Sequence, residues 1–95
     1  MKTKWLCSAL LDLADITLYI SENNPKAAIR IKRLIHQRAS ELAEMPYAFR
    51  VGVVENTRER VVTPYPYVII YKVDETAQKV VILSVVHTAM KYPQD

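Results

Sequence analysis

Ninety-five residues with 13 Lys and Arg against 10 Asp and Glu give a net charge of +3, and 51% of the chain is hydrophobic. That is globular content for one small domain spanning 1–95 and excludes a disordered chain. A single cysteine excludes an internal disulfide framework and a Cys-rich zinc site, while mild basicity allows an anionic partner without demanding one.

Lys2 and Lys4 precede an apolar run from Trp5 that Asp12 stops too early for a secretory signal. The longest apolar stretch, Val80 to Val86, falls far short of the ~20 residues of a membrane span. The expectation is a soluble protein of a reducing cytoplasm, with no metal and no cofactor. Thr3 to Leu6 reads as a short strand. Ser8 then reads as an N-cap, followed by Ala9, Leu13, Ile16 and Ile20 at helical steps, with Asp12 and Asp15 early enough to suit the helix dipole. Asn24 and Pro25 break the chain and start a second helix, as N-cap and first helical residue. Its apolar stripe is Ala28, Ile31, Ile35, Ala39 and Leu42, and it ends near Glu44.

Beyond Met45-Pro46 the period changes. Arg58 to Thr63, Tyr67 to Asp74 and Lys79 to Thr88 read as strands, split by Pro64-Tyr65-Pro66 and by Glu75-Thr76-Ala77-Gln78. The short connections imply antiparallel hairpins. The fold class is therefore α+β: a two-helix hairpin packed on a small antiparallel sheet. Tyr67, Ile69, Tyr71 and Val73 alternate against Val68 and Ile70, and Val80, Ile82 and Val86 against Val81, Leu83 and Val85. Both sheet faces are apolar, so the tail or a partner has to cover the second one.

Several side chains could carry chemistry. Arg58 and Arg60 share a strand face and call for an anionic or aromatic partner. His87 ends an apolar strand and reads more readily as structural than as a general acid. Tyr65, Tyr67 and Tyr71 read as core or partner contacts, Cys7 as a small buried apolar residue, and Trp5 as an edge or core anchor. Lys26, Arg30, Lys32, Arg33 and Arg38, with His36 among them, form a basic run in the second helix. A solvated face competes there with steering toward an acidic partner or DNA.

Asp12-Leu13, Tyr19-Ile20, Asn24-Pro25-Lys26-Ala27-Ala28, Thr57-Arg58-Glu59, Pro66 through Val73, and Val80 through His87 with Tyr92-Pro93 follow in a specific order. In that order the chain resembles the ParE/RelE superfamily of bacterial toxin–antitoxin toxins, on its ParE side, over roughly residues 4 to 93. The resemblance implies a toxin of a type II (plasmid-stabilisation) module in the bacterial cytoplasm, with a cognate antitoxin wrapping it. ParE-like members inhibit DNA gyrase; RelE-like members cleave mRNA on the ribosome. For RNA cleavage, Glu55, Glu59, Arg50, Arg58, Arg60, His87 and Tyr92 qualify by residue type, with Arg58, His87 and Tyr92 foremost. A lysine-rich stretch used by RelE-like members is replaced by Val51-Gly52-Val53-Val54. Phe49 stands where many ParE-like members carry Gly, and no Arg follows His87 before Lys91. The leading expectation is gyrase inhibition through protein contact by Arg58, Arg60, Lys91 and Tyr92, with no catalytic residue favoured. Arg30, Arg33, Tyr67 and Tyr71 are expected to meet the antitoxin. The alternatives are an mRNA endonuclease and an inactive relative that only binds antitoxin.

Overall fold

The computed structural model describes residues 1–88. The elements run β1 (Lys2–Trp5), α1 (Cys7–Ser21), α2 (Pro25–Glu41), β2 (Arg50–Val51), β3 (Arg58–Val61), β4 (Tyr67–Asp74) and β5 (Lys79–His87). Two helices pack on one face of a five-stranded sheet of order β1-β5-β4-β3-β2. The strands from β2 to β5 pair antiparallel, as their short connections require, but β1 lies parallel to β5, with Lys2 opposite Lys79 and Trp5 opposite Ile82. The sheet is therefore mixed, because the helical hairpin between β1 and the later strands supplies the long crossover that parallel pairing needs.

The helices form where their apolar periodicity predicts, but α1 starts differently. Leu6 occupies its N-cap and offers no side-chain bond, and no acidic residue lies in the first turn. Leu6 N–H instead donates to Ile82 O at 3.0 Å, so strand pairing fixes the helix entry. Ser8 is not a cap; its hydroxyl donates to Leu83 O at 2.9 Å. α2 starts as expected, with Asn24 Oδ1 accepting from Ala27 N at 3.1 Å and Pro25 at its first position. Ala28, Ile31, Ile35, Ala39 and Leu42 are all buried.

The core between helices and sheet unites Leu13, Ile31, Ile35 and Leu42 with Tyr67, Ile69, Tyr71, Val80, Ile82 and Val85. Simple alternation along β5 would send Val86 to this side and Val85 to the other. A bulge in β5, opposite the Ile70–Tyr71 step of β4, breaks the register: Tyr71 opposes Ile82, whereas Ile70 opposes Ser84. Leu83 is the extra residue, and beyond it every side chain changes face. Asp12 of α1 fastens this point, its Oδ2 accepting from Ser84 Oγ at 2.6 Å and from Val85 N at 3.0 Å. Val68, Ile70 and Val81 on the far face are buried too. No helix among the described residues is long and apolar enough to cross a membrane.

Candidate functional site

The two arginines of β3 turn inward. Arg60 Nη1 donates to Arg38 O at 2.9 Å and pairs with Glu41 Oε1 at 3.0 Å, and its guanidinium lies 4.4 Å from the centre of the Phe49 ring. Arg58 Nη1 donates to Phe49 O at 2.9 Å, with the guanidinium 5.0 Å from the Tyr47 ring centre. The anionic and aromatic partners that these charges require are thus supplied by the end of α2 and by the segment before β2. The two arginines brace that segment, together with Tyr71, whose hydroxyl donates to Pro46 O at 2.8 Å.

Arg58 and His87 lie on strands flanking β4, opposite Tyr71 and Tyr67 respectively. Four residues of β4, about 13 Å, separate the two levels. The His87 ring packs edge-on against Tyr67, with centroids 5.4 Å apart. Glu59 points to the other sheet face, is buried, and accepts from Arg50 Nε at 2.8 Å and from Val53 N at 3.4 Å. Glu55 is exposed in the loop before β3. Lys91 and Tyr92 lie outside the described residues, so of the three foremost nuclease candidates only Arg58 and His87 are described, and their backbones stand at different levels of the sheet. No group of three or more His, Cys, Asp or Glu among the described residues could hold a metal ion.

Of the residues expected to meet an antitoxin, Tyr71 is 0% and Tyr67 7% exposed. Both are core residues and offer a docked partner almost no surface. Burial raises the hydroxyl pKa of each above its ordinary value, by more than the opposing pull of Arg58 and Arg60 on Tyr71. Arg30 and Arg33 are exposed on α2, with Arg30 Nε donating to Tyr65 Oη at 3.2 Å. Cys7, expected to be buried, is exposed; it is the first residue of α1, which begins two residues before the start that a Ser8 cap would set. Trp5 is partly buried against the core, and its ring lies 5.0 Å from that of His36.

A surface absent from the expectations is the outer side of α1. Leu10, Leu11, Leu18 and Tyr19 are between 47% and 71% exposed. The signal was present in the sequence: these residues lie off the Ala9/Leu13/Ile16/Ile20 stripe, so α1 is apolar nearly all round. Beside it opens a groove of about 420 Å³ between α1 and the start of β4 paired with the end of β5, lined by Asp12, Asp15, Ile16, Tyr19, Tyr67, Val85 and His87. Tyr47, Val51, Val53 and Val54, in and around β2, are exposed apolar residues as well.

Residues 3–92 match the family described as the ParE toxin of the type II toxin–antitoxin system, parDE. The chain belongs to the ParE toxin family. It is 36% identical over 93 residues to Y4kP of Sinorhizobium fredii, a protein named as a candidate toxin, covering 98% of this chain and 94% of that one. Its fold is similar to a chain of the chromosomal ParDE system of P. aeruginosa (TM-score 0.82, 21% identity, 92% of this chain and 95% of that one). It is also similar to a chain of the RelBE2 toxin–antitoxin complex of Mycobacterium tuberculosis (TM-score 0.67, 22% identity, 94% and 92% covered). The isolated E. coli RelE toxin shares the fold as well (TM-score 0.66, 13% identity, 96% and 87% covered). This ParE-family toxin is thus built on a scaffold shared by both branches of the superfamily.

Proposed function

We propose that this toxin acts in the bacterial cytoplasm by protein–protein contact with DNA gyrase, and that an antitoxin restrains it by docking on the outer side of α1. The separation of Arg58 from His87 carries the preference over RNA cleavage: a phosphoryl-transfer site needs its cation and its proton donor on one reacting group, and these two side chains serve different parts of the fold. Arg58 and Arg60 then contribute by positioning, since they hold the segment that presents Tyr47 and Val51 to solvent. Residues 89–93, with Lys91 and Tyr92, complete the proposed contact with gyrase.

The α1 surface suits a protein partner because its exposed Leu11 and Leu18, with Leu10 to one side, form the kind of apolar centre that stable interfaces bury. A supercoiling assay with purified gyrase tests the mechanism, using the full chain, a chain ending at Thr88, and His87→Ala. Dose-dependent loss of supercoiling with accumulation of linear DNA is expected, weakened by the truncation and retained in His87→Ala. Cut mRNA in a translation reaction, abolished by His87→Ala, would instead assign the nuclease mechanism. Unaffected growth on overproduction without antitoxin would leave antitoxin binding as the remaining activity.

A further inference from the structure

We propose that the outer face of α2 is a sequence-independent binding surface for the phosphate backbone of duplex DNA. Lys26, Arg30, Arg33 and Gln37 recur at steps of four, three and four, opposite the buried Ala28, Ile31, Ile35 and Ala39. They therefore form one line of hydrogen-bond donors about 16 Å long. No Asp or Glu interrupts the sequence from Lys26 to Ser40. The ion pairs among the described residues are Arg38–Glu41, Arg60–Glu41 and Arg50–Glu59, and none of them neutralises Lys26, Arg30, Lys32 or Arg33. Tyr65, which accepts from Arg30 Nε, orients that guanidinium without cancelling its charge.

Helix stability does not account for this arrangement. Lys26 and Arg30 sit toward the positive end of the helix dipole, where carboxylates are stabilising and cations are not. The chemistry of the face selects among anionic partners. Ile29 is the one large apolar side chain exposed on α2, so a folded protein would find little to bury there. Interfaces with duplex nucleic acid are polar and strongly cationic, and a row of lysine and arginine on one helix side meets that description. α1, with Asp12 and Asp15 and its exposed leucines, has the opposite character. The helical hairpin thus divides into a side for protein and a side for DNA. The inference holds whether or not gyrase is the target, because it concerns naked DNA.

Fluorescence anisotropy with a labelled random-sequence duplex of about 30 base pairs, titrated with the full chain, tests the surface. Three phosphate contacts predict a slope of log K against log salt of about −2.7, or roughly a 40-fold loss of affinity between about 50 and 200 mM salt. Lys26→Glu with Arg33→Glu should make that slope shallower by about two units, and the neutral pair Lys26→Gln with Arg33→Gln should do the same. Lys72→Glu, exposed on the far side of the sheet, should leave it unchanged; thermal melts would verify that all variants fold. Absence of binding at the lowest salt, equal weakening by Lys72→Glu, or preference for poly-glutamate over the duplex would each overturn the proposal.

Discussion

Arg60 shows how a surface-type residue becomes structural in a chain this small. Its side chain is 14% exposed and ties three things together: the carbonyl of Arg38, the carboxylate of Glu41 and the ring of Phe49. Truncation to Ala strands Glu41 with Arg38 alone and uncovers Phe49, which should cost about 2 kcal/mol and lower Tm by roughly 10 °C. Arg60→Lys keeps the charge but not the planar fork and should restore only part of the loss. Urea unfolding of the three proteins checks both statements. Tyr71 makes a comparable point through titration. Burial raises its pKa, so the native state holds the phenolic proton more tightly than the unfolded chain does, and the stability gained is fully present below about pH 10 and lost as pH rises through the folded pKa. Tyr71→Phe should cost about 1 kcal/mol at neutral pH through loss of the bond to Pro46. It should also flatten the alkaline fall in stability, leaving the part due to Tyr67, whose pKa burial likewise raises, and to Tyr47, whose pKa is raised by its hydrogen bond to Glu75. Urea midpoints measured from neutral pH to above pH 10 would show no such flattening if Tyr71 titrates alike in both states.

At the level of elements, the bulge in β5 decides which residues enter the core. Asp12 is the one α1 side chain bonded to both Ser84 and Val85 at that point, so Asp12→Ala leaves the Val85 N–H without its acceptor. We expect a loss of about 2 kcal/mol for Asp12→Ala, about 1 kcal/mol for Ser84→Ala, and a double mutant less destabilised than the sum. Strict additivity in denaturant melts would mean that Asp12 does not act through the bulge. The same region marks the boundary of what is legible in the sequence. The α2 stripe, the Asn24 cap and the bounds of β4 follow from local periodicity and turn chemistry, and each was readable. Parallel pairing of β1 with β5 joins residues some 77 positions apart, as Lys2 with Lys79, and no local pattern encodes it. Ser84 interrupting an apolar run was a visible trace of the bulge, but only its partner Asp12, 72 positions away, gives it meaning. The inward turn of Arg58 and Arg60 was hidden for the same reason: β3 names the charges, while their partners stand at Glu41 and in the segment from Tyr47 to Phe49. Conversely, Tyr67 and Tyr71 alternate as core residues do, and their place inside the fold was the simpler reading.

Across the whole molecule, charge and apolarity are sorted onto different sides, and this sorting limits where an antitoxin can sit. The sheet–helix core already consumes the inward stripe of α1, yet Leu11 and Leu18, two helical turns apart on its outer side, remain 66% and 65% exposed. Neither contributes much to the folded chain, so Leu11→Glu and Leu18→Glu should each change stability by no more than about 0.5 kcal/mol. Placed at the centre of a partner's footprint, however, a carboxylate would need desolvating where an apolar anchor stood. The pair should weaken antitoxin binding by roughly a hundredfold or more. The consequence in cells is asymmetric, because the proposed gyrase contact draws on other residues, among the described ones the exposed Tyr47 and Val51. A toxin carrying both substitutions should remain as inhibitory as the parent, but co-expression of the antitoxin should no longer restore growth. Rescue as complete as for the parent chain, with unchanged affinity by calorimetry, would place the antitoxin on another face and leave the apolar side of α1 for the target.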